Sequence, residues 1–337
     1  MPTSSLPKAV RKARREAAVE HLEELNDELA EKRKAVKKAA KEAAKSKPSA
    51  LLVDVVAGEG PAGVKVDDGA VDLSAVSPDS TPGFEGSKKD AAVALALGER
   101  VLSELQDRLY AQSRADAATG SVLLVLQGMD TSGKGGIVRH VVGAMDPQGV
   151  RITGFKAPTD EEKKHDFLWR IKPHLPAPGQ IAVFDRSHYE DVLIHRVRGW
   201  AAEAEIKRRY EAINAFEAEA AAQGTRIIKV MLHISHEEQG ERLLERLNRP
   251  EKHWKYNAGD IDERKLWDDY QDAYAKAIEA TSSPEAPWHV VPANHKWYAR
   301  LAVADLLIAA LRDIDPVWPK TSLNVGAERA RLAATRD

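Results

Sequence analysis

Residues 122–145 read VLLVLQGMDTSGKGGIVRHVVGAM, and the division of this stretch decides the fold. The apolar run Ser121–Gln127 is continuous rather than alternating, as in a strand covered on both faces. It ends in Gly128-Met-Asp-Thr-Ser-Gly133-Lys134. Ile137, Val138, Val141, Val142 and Met145 then recur on one helical face until Asp146-Pro147 breaks the period. Strand, glycine-rich turn and helix in this order match the G-x-x-x-x-G-K loop in its required context. The glycines let consecutive backbone N–H groups converge, the helix start adds positive potential, and Lys134 adds a point charge. Gly128, Ser132, Gly133, Lys134, Gly135 and Gly136 are therefore the expected phosphate cradle. Gly135 stands where such loops carry the Ser or Thr that ligates magnesium. Asp130 lies inside the loop, where a carboxylate would repel phosphates unless a divalent cation lay between, so it is expected to bind Mg2+; the alternative is an outward-pointing turn former.

Working outward, short β-branched runs alternate with helical periods, the sequence form of an α/β fold on a parallel sheet. Five strands are expected: Ser121–Gln127, Val150–Phe155, Gln180–Phe184, Arg226–His233 and Trp288–Val291. Helices are expected near Lys88–Ala118, Gly135–Met145, Glu161–Lys172, His188–Trp200, Glu203–Gln223, His236–Leu247, Asp262–Thr281 and Trp297–Arg312. In the first of these, Ala92, Leu95, Leu97, Val101, Leu102, Leu105 and Leu109 are expected to face the core.

The strand Ile181-Ala-Val-Phe184 delivers Asp185 at its carboxyl end, where open α/β sheets bind ligands. Asp185 reads as a second magnesium carboxylate, and Arg186 as a planar fork for phosphates. Glu190 is either a site residue or the partner of Ser187 in a capping box. After the fourth strand, Arg242, Arg246 and Arg249 follow at helical spacing, and Lys252, His253 and Lys255 continue the cationic run. Such a helix can close over a phosphate chain as a lid; Glu241 and Glu245 also allow an ordinary solvated helix. His233, His236 and His253 lack a metal-binding spacing. Asp130, Lys134, Asp185 and Arg186 are the candidate catalytic residues of such a site, expected to act by alignment and charge neutralisation.

The chain has 337 residues and a formal net charge of -2. The charge is uneven: the first fifty residues hold 13 Lys+Arg against 8 Asp+Glu, and the rest 37 against 44. Leu22, Leu25, Leu29 and Val36 put one narrow apolar stripe on this basic arm. It reads as a solvated or coiled-coil helix, with polyanion binding as the alternative. The expected organisation is an arm over 1–50, a Gly/Pro-rich linker over 51–87 with a weak hairpin as the alternative, a folded body over 88–318 with a lid at about 236–281, and a tail over 319–337. With no cysteine, thiol catalysis, thiolate zinc sites and disulfides are excluded. No apolar run reaches membrane-spanning length and the basic start lacks a signal-peptide core, so a cytoplasmic protein without a membrane partner is expected.

Five ordered motifs resemble the polyphosphate kinase 2 family: VLLVLQGMDTSGKGGIV (122–138), FKAPTDEEKKHDFLWRI (155–171), VFDRSHYEDVL (183–193), RLLERLNRPEKHWKY (242–256) and PWHVVPANHKWYARLAV (287–303). The resemblance covers roughly Pro78 to Trp318. It implies a P-loop kinase fold, a three-layer αβα sandwich with a helical lid, that moves phosphoryl groups between inorganic polyphosphate and nucleotides with Mg2+; a homo-oligomer is a separate expectation. By motif position it implies that Asp130 and Lys134 are the Walker A pair, that Asp185 and Arg186 are the Walker B pair, and that Arg246, Lys252 and Lys255 belong to the basic lid. Arg242 is expected to join these lid residues in gripping polyphosphate. The wording of the first and third motifs is similar to the branch that accepts both AMP and ADP. Two rival readings follow from the residues alone: an ATP-dependent kinase of a nucleotide or small molecule, and a nucleotide-dependent nucleic-acid-binding protein using the basic arm, although no nucleic-acid partner is expected. One of Trp169, Trp254, Trp288 and Trp297 could stack on a base.

Overall fold

The computed structural model describes residues 54–55, 57–66 and 71–335; the arm expected over 1–50 lies outside them. The elements are β1 (Val64–Val66), α1 (Lys88–Ser113), β2 (Ser121–Gln127), α2 (Lys134–His140), β3 (Val150–Gly154), β4 (Ile181–Asp185), α3 (Glu190–Val197), α4 (Glu203–Ala222) and β5 (Thr225–His233). They continue with α5 (His236–Asn248), α6 (Gly259–Arg264), α7 (Trp267–Thr281), β6 (Trp288–Pro292), α8 (Lys296–Ile314) and α9 (Val325–Ala333). No helix among the described residues is long and apolar enough to cross a membrane.

The sheet has six strands in the order β1-β6-β5-β2-β4-β3, so the expectation of five parallel strands is corrected. The five expected strands do run parallel, but β1 adds to β6 antiparallel, with Val64 opposite Val290 and Val66 opposite Trp288. This sixth strand lies within the stretch read as a linker. Three residues are too few for alternation to show, and flanking glycines hid it. Leu73 and Phe84 of the same stretch are buried.

Residues alternate across the sheet. One face, carrying Leu123, Val125, Phe184, Met231 and Trp288, packs on α3, α4 and α7. The other is covered by α8, with α1 laid against it. On α1, Leu102, Leu105 and Leu109 are buried as expected, but the stripe continues through Gly98, Ala94 and Ala91, while Ala92 is exposed. A Cβ on Gly98 would already touch Val55 and Ile308 at 3.4 and 3.5 Å. Small residues set that contact, so it rotates the stripe away from the larger leucines.

Two helix expectations fail for local reasons. Over Glu161–Lys172 only the single turns Glu162–Lys164 and Lys172–His174 form. Asp166 caps a fresh turn in the middle by accepting from Leu168 N–H at 3.0 Å, which competes with continuation. The helix expected over Asp262–Thr281 is broken at Leu266 into α6 and α7. Tyr270, Ala273, Tyr274, Ala277 and Ile278 of α7 are buried in the core, so this part of the 236–281 region is scaffold.

A buried polar network lies on the α4/α7 face. All three protons of the Lys229 ammonium are used: Nζ donates to Glu217 Oε2 (2.6 Å), Thr281 O (2.6 Å) and Tyr189 Oη (3.1 Å). Tyr189 Oη donates to Glu217 Oε1 at 2.8 Å, and His188 Nε2 lies 3.2 Å from the same oxygen. The network therefore fixes His188 and Tyr189, two of the three residues between Arg186 and Glu190, to β5, α4 and α7. On the other face, Asp305 of α8 is buried against Gly60, and its Oδ1 has no hydrogen-bond partner. Burial, with the like charge of Asp54, pushes its carboxyl up to about 7 against the Gly60 N–H.

Lys229→Met leaves Glu217 charged and unpaired, and should cost about 3–5 kcal/mol in urea unfolding. For Asp305, the unfolded chain releases the proton near 3.8 and the folded chain holds it to about 7, so this group lowers stability as pH rises through that window. Asp305→Asn should consequently raise the urea midpoint at about pH 8 and leave it nearly unchanged at about pH 4.

Candidate active site

The carboxyl ends of the adjoining strands β4, β2 and β5 meet at one place, and the chain turns sharply after each. After β2 the backbone enters the Gly128–Gly136 loop. Gly128 has φ 140°, and a Cβ there would sit 2.6 Å from Leu232 O, so only glycine fits between β2 and β5. Gly133, with φ 117°, opens α2. Two non-glycine residues also adopt left-handed backbone, Thr131 (φ 66°) in this loop and Arg186 (φ 63°) after β4. Such strain persists only where neighbours over-determine the conformation.

The neighbours are identifiable. Tyr274 Oη, from α7, accepts from Gly128 N–H at 3.0 Å. Gln239 of α5 donates to Asp130 O at 3.3 Å. Arg242 does most: Nη1 donates to Thr131 O (2.9 Å) and Ser132 O (3.0 Å), Nη2 to Ala293 O (2.6 Å) and Asn294 O (3.1 Å), and Nε to Glu238 Oε1 (2.6 Å). All five N–H groups of this buried guanidinium are engaged. Arg242 was expected to grip polyphosphate; it instead holds the loop, because no donor is left over.

Lys134 is buried, and its Nζ donates to Gly128 O (2.7 Å) and Met129 O (3.2 Å). Burial pushes its ammonium below the ordinary lysine value, opposed by the carboxylates of Asp130, Asp185 and Glu190. Asp130 accepts from Arg186 Nη2 at 2.6 Å, facing the end of β4, which is not the outward turn-forming geometry. Burial opposes the charge on Arg186, and the carboxylates of Glu190 and Asp130 outweigh it, so the guanidinium stays firmly protonated. The structure thus brings together Asp130, Lys134, Arg186 and Glu190 at the end of β4, where Asp185 is the last residue.

Glu190 does not form a capping box. With its side-chain amide turned so that oxygen and nitrogen exchange places, Gln127 accepts from the Ser187 N–H (3.2 Å) and hydroxyl (3.1 Å) and donates to Glu190 Oε1 at 3.1 Å. The carboxyl of Glu190 faces the cations instead, raised by burial against the pull of Arg186 and Lys134. In the loop, the buried hydroxyls of Thr131 and Ser132 have no protein partner, which leaves both to hydrogen-bond a ligand. A Cβ on Gly135 would meet nothing within 4 Å, so the missing hydroxyl at this position is not excluded by space.

From the loop a crevice of about 210 Å³ runs under α5 and along α8. Arg246, Lys252, Lys255, Lys296 and Arg300 line it, with Glu245 the one acidic side chain in its wall and no aromatic residue. Arg246 pairs with Asp260 at 3.1 Å, and Lys255 Nζ sits 4.9 Å over the Trp254 ring. Glu245 is shared by Arg249, Lys252 and Lys296. Of the four tryptophans, Trp288 is core, Trp297 lies between His295 and Phe84, Trp169 stacks on His165 at 4.1 Å, and Trp254 is 79% exposed on the lid.

Sequence reasoning missed Lys296, Arg300, Gln239, Asp260 and Tyr274. Lys296 and Arg300 were visible as two cations one turn apart at the start of a helix after a strand. Tyr274 carried no signal, because on an apolar helical face it looks like any core tyrosine. Asp130 and Asp185 suit Mg2+ by chemistry: two hard carboxylates on a phosphate crevice are what the ion takes when phosphates and water complete its shell. No group of three or more His, Asp or Glu that could hold a metal occurs among the described residues.

Comparison with known proteins agrees with this geometry. The family model described as Polyphosphate kinase 2 matches residues 89–317. The chain is 44% identical over 253 residues to an AMP/ADP-polyphosphate phosphotransferase of Meiothermus ruber, spanning 75% of this chain and 93% of that one. It is 40% identical over 257 residues to an ADP-polyphosphate phosphotransferase of Rhodopseudomonas palustris, spanning 73% and 87%. The crystal structure of polyphosphate kinase 2 from Arthrobacter aurescens superimposes with a TM-score of 0.77 at 58% identity, covering 80% of this chain and 95% of that one. The matched region contains every side chain of the loop and crevice, and the chain belongs to the polyphosphate kinase 2 family.

Proposed function

We propose that the Gly128–Gly136 loop and the basic crevice together bind linear polyphosphate, and that its terminal phosphoryl group passes to the terminal phosphate of AMP or ADP beside Arg186. One observation carries this reading: the glycine-rich loop opens into a crevice lined by five cations besides Arg242, with no aromatic residue in its wall. A repeating polyanion suits that lining better than a nucleoside triphosphate, which disfavours the ATP-dependent reading. The acceptor range follows the relatives named for AMP/ADP and for ADP.

In the reaction an oxygen of the acceptor's terminal phosphate attacks the terminal phosphorus of the chain. A new P–O bond forms, the bridging P–O bond breaks, and polyphosphate leaves one unit shorter. The acceptor is anionic, so no side chain has to remove a proton. Lys134 and the loop amides hold the donor, Arg186 faces the equatorial oxygens, and Asp130 and Asp185 would hold Mg2+. Bound magnesium neutralises charge on the phosphates. Arg242 and Tyr274 position the loop without touching substrate. Glu190, buried and opposite in charge to Arg186 and Lys134, would balance those two cations.

Supplied with polyphosphate as sole phosphoryl donor, the protein should convert AMP and ADP; turnover only with ATP would refute the reading. Lys134→Ala and Asp185→Asn should each lower transfer by at least ~10²-fold with an unchanged far-ultraviolet spectrum, since each removes charge stabilisation of the transition state. Arg242 offers a sharper test of positioning. Lysine cannot span carbonyls on two sides, so Arg242→Lys and Arg242→Met should lose kcat alike, by about tenfold or more, whereas a phosphate contact would be partly restored by lysine.

A further inference from the structure

The crevice does not end at Lys296 and Arg300. Both side chains also line a second hollow of about 510 Å³, together with Lys88, Glu238, His295 and Trp297. Lys296 and Arg300 lie one turn apart on α8, so they form a cationic ridge common to the two spaces. Lys88 opens α1 and His295 precedes α8; both are exposed to solvent. The acid of the hollow, Glu238, is already paired with Arg242 at 2.6 Å. Among the described residues no carboxylate pairs with Lys88 or Arg300, and Lys296 reaches only Glu245, at 3.8 Å. Burial and the neighbouring Arg242 hold Lys296 below its ordinary value, and burial with Arg139 does the same to Arg300. Positive charge is therefore crowded along the ridge without a protein counter-charge to match. The aromatic wall is not free for a base: His295 stacks on Trp297 at 5.5 Å and 18°, and Phe84 leans on it at 5.6 Å.

We infer that the second hollow takes the distal phosphates of long polyphosphate chains whose reactive end lies at the Gly128–Gly136 loop, so that apparent affinity rises with chain length. This rests on the polyphosphate reading above. A chain longer than the first crevice has to leave it somewhere, and the ridge offers an exit whose cations lower the repulsion between neighbouring phosphates. Lys88 lies before the family match at residues 89–317, so this extension rests on a residue of this chain outside that match.

The test uses the full chain with linear polyphosphates of graded length. Lys88→Glu combined with His295→Gln changes only residues of the second hollow, both solvent-facing, and an acid in the first turn of α1 is compatible with the helix dipole. In the wild type KM should fall as the chain lengthens. In the double variant KM for the longest chains should rise about 3- to 10-fold and lose part of its salt dependence, while kcat and KM for the shortest chains that support turnover stay the same. A wild-type KM independent of length, a rise equal at every length, or no rise at all would overturn the inference while leaving the functional reading intact. A shift in nucleotide KM with an unchanged length series would instead mark the hollow as a nucleotide site. Failure of the wild type with polyphosphate of every length would sink the functional reading itself.

Discussion

Five hydrogen bonds from one guanidinium hold the working part of this molecule together. Arg242 reaches the loop after β2, the corner after β6 and Glu238 on its own helix. The loop carries Thr131 in left-handed backbone, a conformation that a free peptide would leave at once. The carbonyls of Thr131 and Ser132 are turned to Arg242, so the strained turn is held by a cation whose donors are spent on backbone oxygens. The same bonds fix the base of α5 against the loop and the corner after β6.

A second anchor does the same work after β4. Arg186 is also left-handed, and the residues that follow it, His188 and Tyr189, are locked by the buried Lys229–Glu217 pair. A fully paired charge inside a core contributes little net stability, yet it tolerates few alternative arrangements. Here it holds the short segment between Arg186 and Glu190 in one register, so the side chains at either end face the same space.

The sequence showed the fold's centre well and its margins poorly. Five strands, the phosphate loop and most helices follow from continuous apolar runs and one-sided periodicity, because those patterns are dictated by burial on a two-sided sheet. The carboxylates and cations at strand ends were legible because few other reasons put Asp185-Arg186 after four buried residues. What escaped was set by contacts remote in the chain. The strand Val64–Val66 exists only because β6 offers it an edge. Arg242 looked like its neighbours Arg246 and Lys252; only the fold shows that it points backward into carbonyls while they face the crevice. Tyr274 and Gln239 gain their roles from a loop more than a hundred residues away.

The three-residue strand β1 has a consequence for how the chain can be shortened. It shields the outer edge of β6, whose residues Trp288–Pro292 are buried throughout. A chain cut back to the region matched by the family model would lose it and present a row of unpaired N–H and C=O groups flanked by Trp288, Val290 and Val291. Such an edge is a template for intermolecular pairing. The three residues of β1 thereby occupy an edge that would otherwise be open to pairing.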